Sequence, residues 1–152
     1  MQKLAAFWKN HTYFIIGEKS MISQTFFTRL SAAIGKAKSQ GGSDNTNRPF
    51  GGVNVILVSD FHQFPPVVGK PLYWRSNPSK DNNKELLGRQ LYEQFTTIVR
   101  LKEQVRIQDP EWLDLLQHIH RGSCQAQHIE MLRSLIITNP ICPPTDFVNK
   151  KV

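Results

Sequence analysis

Two short apolar runs, each ending in a carboxylate, organise the chain. Tyr13-Phe14-Ile15-Ile16 leads into Gly17-Glu18, and Val53 to Val58, with Asn54 its one polar member, leads into Ser59-Asp60. Runs this short, rich in β-branched and aromatic residues, predict strands buried on both faces, as in a parallel sheet. Thr97-Ile98-Val99-Arg100-Leu101 is a third candidate strand. Helical periodicity fills the intervals. Residues 1–10 read as part of a helix. Ser20 is placed to cap a helix running to about Ser39, with Ile22, Phe26, Leu30, Ala33 and Ile34 on one face. Lys36 and Lys38 fall in its last turn, where they complement the helix dipole. Gln40 to Gly52, rich in Gly, Asn and Ser, reads as a loop.

Asn83 to Phe95 carries Leu87, Leu91 and Phe95 at helical spacing. Asp109 and Pro110 form a cap and first-turn pair, ahead of an apolar face of Trp112, Leu115, Leu116 and Ile119. That helix closes with His118, His120 and Arg121 before Gly122, and a further helix is expected from about Ser123 to Leu135. Pro140, Pro143 and Pro144 mark an irregular end. Strand, helix, strand, helix, strand predicts an α/β layer with a mainly parallel sheet. Ligands bind such sheets at the carboxyl ends of the strands, where Glu18, Asp60 and the segment Phe61 to Pro66 fall.

Composition narrows the class. With 152 residues, 39% hydrophobic and 20% charged, the chain is too apolar for a disordered tail and can build one core of ordinary size. It has no Gly repeat and no heptad run. No apolar stretch is long enough to span a bilayer, so no membrane partner is expected. Residues 1–10 lack an apolar signal core, so a secretory route is not expected. Cys124 and Cys142 lack CxxC spacing, which suits a reducing compartment. The net charge of +7 points to a polyanion, and its placement sharpens the point. Residues 1–106 hold 15 Lys and Arg against 7 Asp and Glu, and the remainder holds 4 against 5, so any polyanion-facing part is the first two thirds.

Buried strands that deliver acids at their tips are what nucleotide hydrolysis requires. One carboxylate helps hold Mg²⁺ and a neighbour orients or deprotonates the attacking water. Taken alone, Glu18 reads first as an acid that begins a turn or caps the next helix. After Asp60, Pro65 and Pro66 stop any continuation and leave Gln63 to present an amide beside the first strand's tip. Its plainer alternative is a rigid turn anchored by Phe61 and Phe64. The histidines His11, His62, His118, His120 and His128 have no CxxC partner, and His118 and His120 lie on different helix faces, so no metal site is expected among them. Trp8 and Trp112 fit packing positions. Trp74, in Tyr73-Trp74-Arg75, is the best aromatic candidate for stacking on a base, with Arg75 beside it.

The order IIGEKSMIS, then RPFGGVNVILVSDFHQFPPV, then LKEQVRIQDPEWLDLLQHIHRG resembles the central region of DNA helicases of the petite-integration-frequency type. That group of superfamily-one, 5′-to-3′ enzymes includes the helicase-like parts of Helitron transposons. The first block is similar to motif II (the Walker B strand), the second to motif III and the third to motif IV, and the likeness runs from about Lys3 to Leu135. It implies a partial RecA-like layer over residues 1–102, with motif IV and the helical start of a second motor domain over 103–152. It implies ATP and Mg²⁺ as cofactors and DNA, chiefly single-stranded, as partner. The implied setting is repair, recombination, telomere maintenance or transposition in the nucleus, with the mitochondrion as the second compartment.

Residue by residue, the resemblance implies that Glu18 is the catalytic base, with a weak metal contact. Gln63 would contact the γ-phosphate and couple it to DNA, and Asp60 would support that loop. Arg106 would be the arginine finger, its alternative being a surface salt bridge to Glu103 or Asp109. Ser20 and Met21 would complete the motif II turn.

Departures from the family pattern are as informative. Gly17 stands where the family has the Mg²⁺-associated Asp, Ser59 replaces the usual Gly of motif III, and Ile107 replaces the Gln after the motif IV Arg. No G-x-x-x-x-G-K-[ST] occurs among the 152 residues. The expectation is therefore a helicase piece that is inactive by itself. The alternatives are a non-catalytic nucleic-acid-binding module that kept the fold, and a decayed copy with no stable fold.

Overall fold

The computed structural model describes residues 2–40, 47–60, 62–136, 138 and 140. The expectations for the loop at 41–46, for Phe61, and for Cys142, Pro143 and Pro144 lie outside them. The chain divides between Val99 and Arg100 into two compact units, each taken by itself.

In the first unit the order is α1 (Gln2–Trp8), β1 (Tyr13–Ile16), a 3₁₀ turn (Lys19–Met21), α2 (Gln24–Ser39), a second 3₁₀ turn (Pro49–Gly52), β2 (Asn54–Leu57) and α3 (Asn83–Glu93). The two predicted strands pair in parallel, with Phe14 opposite Val55 and Ile16 opposite Leu57. Burial on both faces does not hold. Phe14, Ile16, Val55 and Leu57 turn to the core, whereas Tyr13, Ile15 and Ile56 are exposed. Among the described residues the sheet has only these two strands, and the side chains of one face pack with Trp8 of α1 and Phe27, Ile34 and Ala37 of α2 in one core. The third expected strand is absent: Ile98, Val99 and Leu101 are exposed and have no ladder partner.

α2 is the spine of this unit, and its start differs from expectation. Ser20 lies buried in the 3₁₀ turn, and Ile22 is extended, so the cap passes to Ser23, whose Oγ accepts the Phe26 N–H at 3.3 Å. The buried stripe is correspondingly Gln24, Phe27, Ser31, Ile34 and Ala37, leaving Phe26 and Ala33 at the surface. Phe27 is fully buried against Phe50, with ring centroids 5.0 Å apart, and the Phe50 N–H donates to Ser31 Oγ at 2.9 Å. Trp8, Ile16, Ile22, Val53 and Leu72 complete this core.

Gln24 explains how the segment after β2 is held. Its backbone N–H donates to Lys70 O, and its buried Nε2 donates to the carbonyls of Pro71 (3.1 Å) and Trp74 (2.9 Å). α3 then crosses the start of α2 at Gly88, where an added Cβ would lie 2.1 Å from the Gln24 carbonyl oxygen. Asn82 caps α3 with a complete capping box to Glu85.

The second unit carries α4 (Pro110–Arg121) and α5 (Ala126–Ser134). Asp109 caps α4 through the Glu111 and Trp112 N–H groups, and Gly122 ends it in the left-handed conformation, as the sequence predicts. Leu115 is fully buried. No helix among the described residues is long and apolar enough to cross a membrane.

Candidate functional site

Because β1 and β2 are parallel and in register, their carboxyl ends reach the same edge of the sheet. Hydrogen bonds then join the two tips residue by residue. The Val58 N–H donates to Ile16 O (2.8 Å), the Lys19 N–H to Val58 O (3.3 Å), and the Ser20 N–H to Ser59 Oγ (3.0 Å). The Ser59 hydroxyl in turn donates to Asp60 O at 3.3 Å. A glycine at position 59 could make neither bond. The serine therefore stiffens the junction of the two loops.

Glu18 lies within this junction, between the bonds at Ile16 and those at Lys19 and Ser20. Its backbone is left-handed (φ 53°), a conformation that disfavours any residue with a Cβ, and its side chain stands in solvent. Such strain persists only where the surroundings over-determine it, here through the bonds at Lys19 and Ser20 on one side and Val58 on the other. Lys19, beside it, has its ammonium pKa lowered by burial. Ser20 Oγ is buried and has no hydrogen-bond partner among the described residues.

On the β2 side, Asp60 folds its own loop. Its Oδ1 accepts the His62 N–H at 2.9 Å and lies 3.3 Å from His62 Nδ1, and its carbonyl accepts the Gln63 N–H at 3.3 Å. Gln63 is thereby held at the sheet edge with its side chain exposed. Phe64 is also exposed, at 81%, so the anchoring role expected for it is not observed; the loop is held by Asp60 and by hydrogen bonds to the backbone.

The remaining candidates belong to other segments of the chain. Trp74 is half exposed while its carbonyl is tied to Gln24, and Arg75 beside it is exposed, so the indole is fixed at its base and open at its face. Arg106 belongs to the second unit and is exposed. Its backbone N–H donates to Gln104 Oε1, and among the described residues no ion pair joins it to Glu103 or Asp109. His118 and His128, for which the sequence predicts no metal partner, converge with Asp114, a residue not among the sequence's candidates. The signal was the Asp-x-x-x-His spacing, which stacks two ligand types on one helix face.

The family model for PIF1-like helicases matches residues 1–130. The chain belongs to the PIF1-like helicase family. It is 28% identical to the mouse (Mus musculus) ATP-dependent DNA helicase PIF1 over 127 residues, which is 84% of this chain and 17% of that protein. It is 31% identical to the Xenopus laevis PIF1 over 77% of this chain and 16% of the relative, and 24% identical to Trypanosoma brucei brucei PIF7 over 92% and 13%. The chain thus spans less than a fifth of the length of each of these PIF1-like relatives. Among solved structures, it is similar to the Pif1 helicase from Bacteroides in complex with ADP-AlF3 and ssDNA, with a TM-score of 0.60 and 20% identity over 86% of this chain and 29% of that one. A second, of two coordinating Pif1 helicases at forked dsDNA, gives a TM-score of 0.59 and 19% identity, over 88% and 31%. These likenesses show that the chain has part of the RecA-like fold of the Pif1 helicases.

The residues at the strand tips do not fit a Mg²⁺ ion held by paired carboxylates. Mg²⁺ is held through one or two carboxylates together with substrate phosphates. Gly17 contributes none, and an added Cβ there would meet nothing within 4 Å, so the place of the family's Asp is open space. The Asp60 carboxylate is engaged with His62, leaving Glu18 as the acid directed to solvent.

Proposed function

We propose that this PIF1-like chain carries the nucleotide-sensing edge of an ATP-dependent DNA helicase, in which ATP hydrolysis drives movement along DNA. The observation that carries this reading is the hydrogen-bonded junction of the two strand tips, which presents Glu18 and the Asp60–Gln63 loop on one edge. Glu18 orients or deprotonates the attacking water, and its strained, exposed placement supports that role. Gln63 reads the γ-phosphate and passes its state to DNA through the loop that Asp60 holds. Arg106 supplies positive charge to the transferred phosphoryl group. The single-stranded DNA in the Bacteroides complex supports the same partner here, with Trp74 and Arg75 as contacts. The setting we infer is DNA repair, recombination, telomere maintenance or transposition, in the nucleus.

With no phosphate-cradling glycine-lysine motif among its residues and Gly17 in motif II, the 152-residue chain by itself should turn over ATP at background, with or without single-stranded DNA. DNA-stimulated turnover would overturn that half of the proposal. The roles of the edge residues are tested in a hybrid: residues 13–67, carrying Gly17→Asp, replace the matching segment of an active relative. That hybrid should hydrolyse ATP in response to DNA, and adding Glu18→Gln should cost about 10²-fold or more. An undiminished rate after the Glu18→Gln change would remove Glu18 from catalysis.

A second reading is favoured by Gly17 and by the surplus of eight positive charges in residues 1–106 (15 against 7). In it the chain is a non-catalytic nucleic-acid-binding module. The hybrid separates the two, because a pure binding module would stay inactive there even with Gly17→Asp.

A further inference from the structure

The second unit holds a cluster that the helicase reading does not use. Asp114 and His118 lie four residues apart on α4, and His128 comes from the first turn of α5. His128 is almost wholly buried, and its Nε2 is 2.9 Å from Asp114 Oδ2, while His118 Nε2 is 3.6 Å from Asp114 Oδ1. The two imidazoles lie against each other with centroids 4.4 Å apart. Three ligand atoms of the three residues fall within 4.8 Å of one another.

The hydrogen bonds assign the protons. His118 Nδ1 lies 3.0 Å from the Ser123 carbonyl oxygen, which only accepts, so Nδ1 carries the proton. The Nε2 lone pair of neutral His118 therefore faces a carboxylate oxygen, two acceptors turned toward each other. A positive charge belongs between them, either a proton on Nε2 or a metal ion. An Nδ1–H held by a backbone carbonyl with Nε2 free is also the arrangement that metal-bound histidines adopt. Donors bound tetrahedrally at 2.0–2.1 Å stand roughly 3.4 Å apart; each imidazole Nε2 is near that distance from one of the two Asp114 oxygens, 2.9 Å to Oδ2 for His128 and 3.6 Å to Oδ1 for His118. Two imidazoles and one carboxylate form the donor set of Zn²⁺ and its neighbours among the transition metals.

We propose that Asp114, His118 and His128 form a binding site for a zinc-class divalent transition metal that pins α5 to α4 across the turn at Gly122. His128 Nδ1 accepts the Gln125 N–H at 3.0 Å, so without metal its proton sits on Nε2. Coordination through Nε2 moves that proton to Nδ1 and exchanges the Gln125 cap bond for the metal bond. Amide exchange at Gln125 therefore speeds up as α5 as a whole is tightened.

The test is a titration of the full 152-residue chain with Co²⁺ at neutral pH, followed by displacement with Zn²⁺. The expected result is the visible absorption of tetrahedral Co²⁺, saturating at one equivalent and removed by Zn²⁺. Asp114→Asn and His118→Asn should each weaken binding by about tenfold or more, with helical circular dichroism unchanged. His11→Asn, in the first unit, should leave binding intact. His128 is buried and caps α5, so His128→Asn alone would not separate lost coordination from lost folding; the other two variants do. No absorption band from folded protein, or a band that survives both Asp114→Asn and His118→Asn, overturns the proposal.

Discussion

Glu18 sits in a backbone conformation that costs of order 1–3 kcal/mol for a residue with a side chain, and the protein keeps it there with hydrogen bonds from the neighbouring strand tip. Gly17, one residue earlier, is the opposite case: its backbone is unstrained and its surroundings are empty. Gly17→Asp should therefore fold as the wild type does, within about 0.5 kcal/mol, and should gain Mg²⁺-dependent nucleotide binding, measured by titration of a fluorescent ATP analogue with and without the ion. Equal binding with and without Mg²⁺ would show that the second carboxylate is not what limits the site. Gly88 is a glycine of a different kind, required by the close crossing of α3 on α2. Gly88→Ala drives a Cβ to 2.1 Å from backbone, which only a shift of the helix relieves. It should cost about 1–3 kcal/mol or more in denaturant unfolding. Neither property is visible in the sequence, where both residues are simply Gly.

At the level of elements, the segment between β2 and α3 has no regular structure, yet it is anchored twice. Gln24 holds its carbonyls at Pro71 and Trp74, and Lys70 pairs with Asp81, whose carboxylate is fully covered and also accepts the Asn77 N–H at 2.9 Å. The hydrogen bond from Lys70 lowers the Asp81 pKa, and the same bond raises that of Lys70. The two signs set a window. Asp81 contributes stability above the ordinary carboxylate range, and this is lost as the pH falls below about 3.9. Lys70 contributes below its ordinary value, and this is lost as the pH rises beyond about 10.4. Asp81→Asn should flatten the acid limb of a stability-against-pH curve; an unchanged acid limb would show that the pair does not stabilise the fold. Helix caps were legible in advance for α4, where Asp109, Pro110 and Gly122 act through local geometry alone. For α2 the cap moved from Ser20 to Ser23, because a 3₁₀ turn joined to the motif III loop takes up the residues before it.

At the scale of the whole molecule, two compact units share one basic chain. If residues 1–106 meet single-stranded DNA, affinity should fall about 20- to 50-fold between 50 and 200 mM salt for three to four phosphate contacts. Fluorescence anisotropy of a labelled oligonucleotide would measure this, and a salt-independent affinity would place the recognition outside the charge surplus. Trp74→Ala should weaken binding at every salt concentration without changing that slope, because stacking releases no counterions. Exposed apolar residues such as Ile98, Val99, Leu101 and Val105 contribute nothing to the core of either unit. Their run looked like a strand because periodicity reports apolar content, while a strand also needs a neighbour to complete its ladder.

The sequence by itself determined the two parallel strands with acids at their tips, the caps of α4 and the family motifs, because strand composition, turn residues and caps act over a few neighbouring positions. Only the tertiary structure decided which face of each strand is buried, where α2 begins, that Ser59 ties the two motif loops, and that Gln24 holds the segment after β2. Those outcomes depend on contacts between residues far apart in the chain, such as Ser20 with Ser59 and Gln24 with Trp74. The Asp114–His118–His128 cluster lies between the two cases. Its first pair is a helical repeat readable in the chain, but a turn had to fold back before the third ligand could meet them.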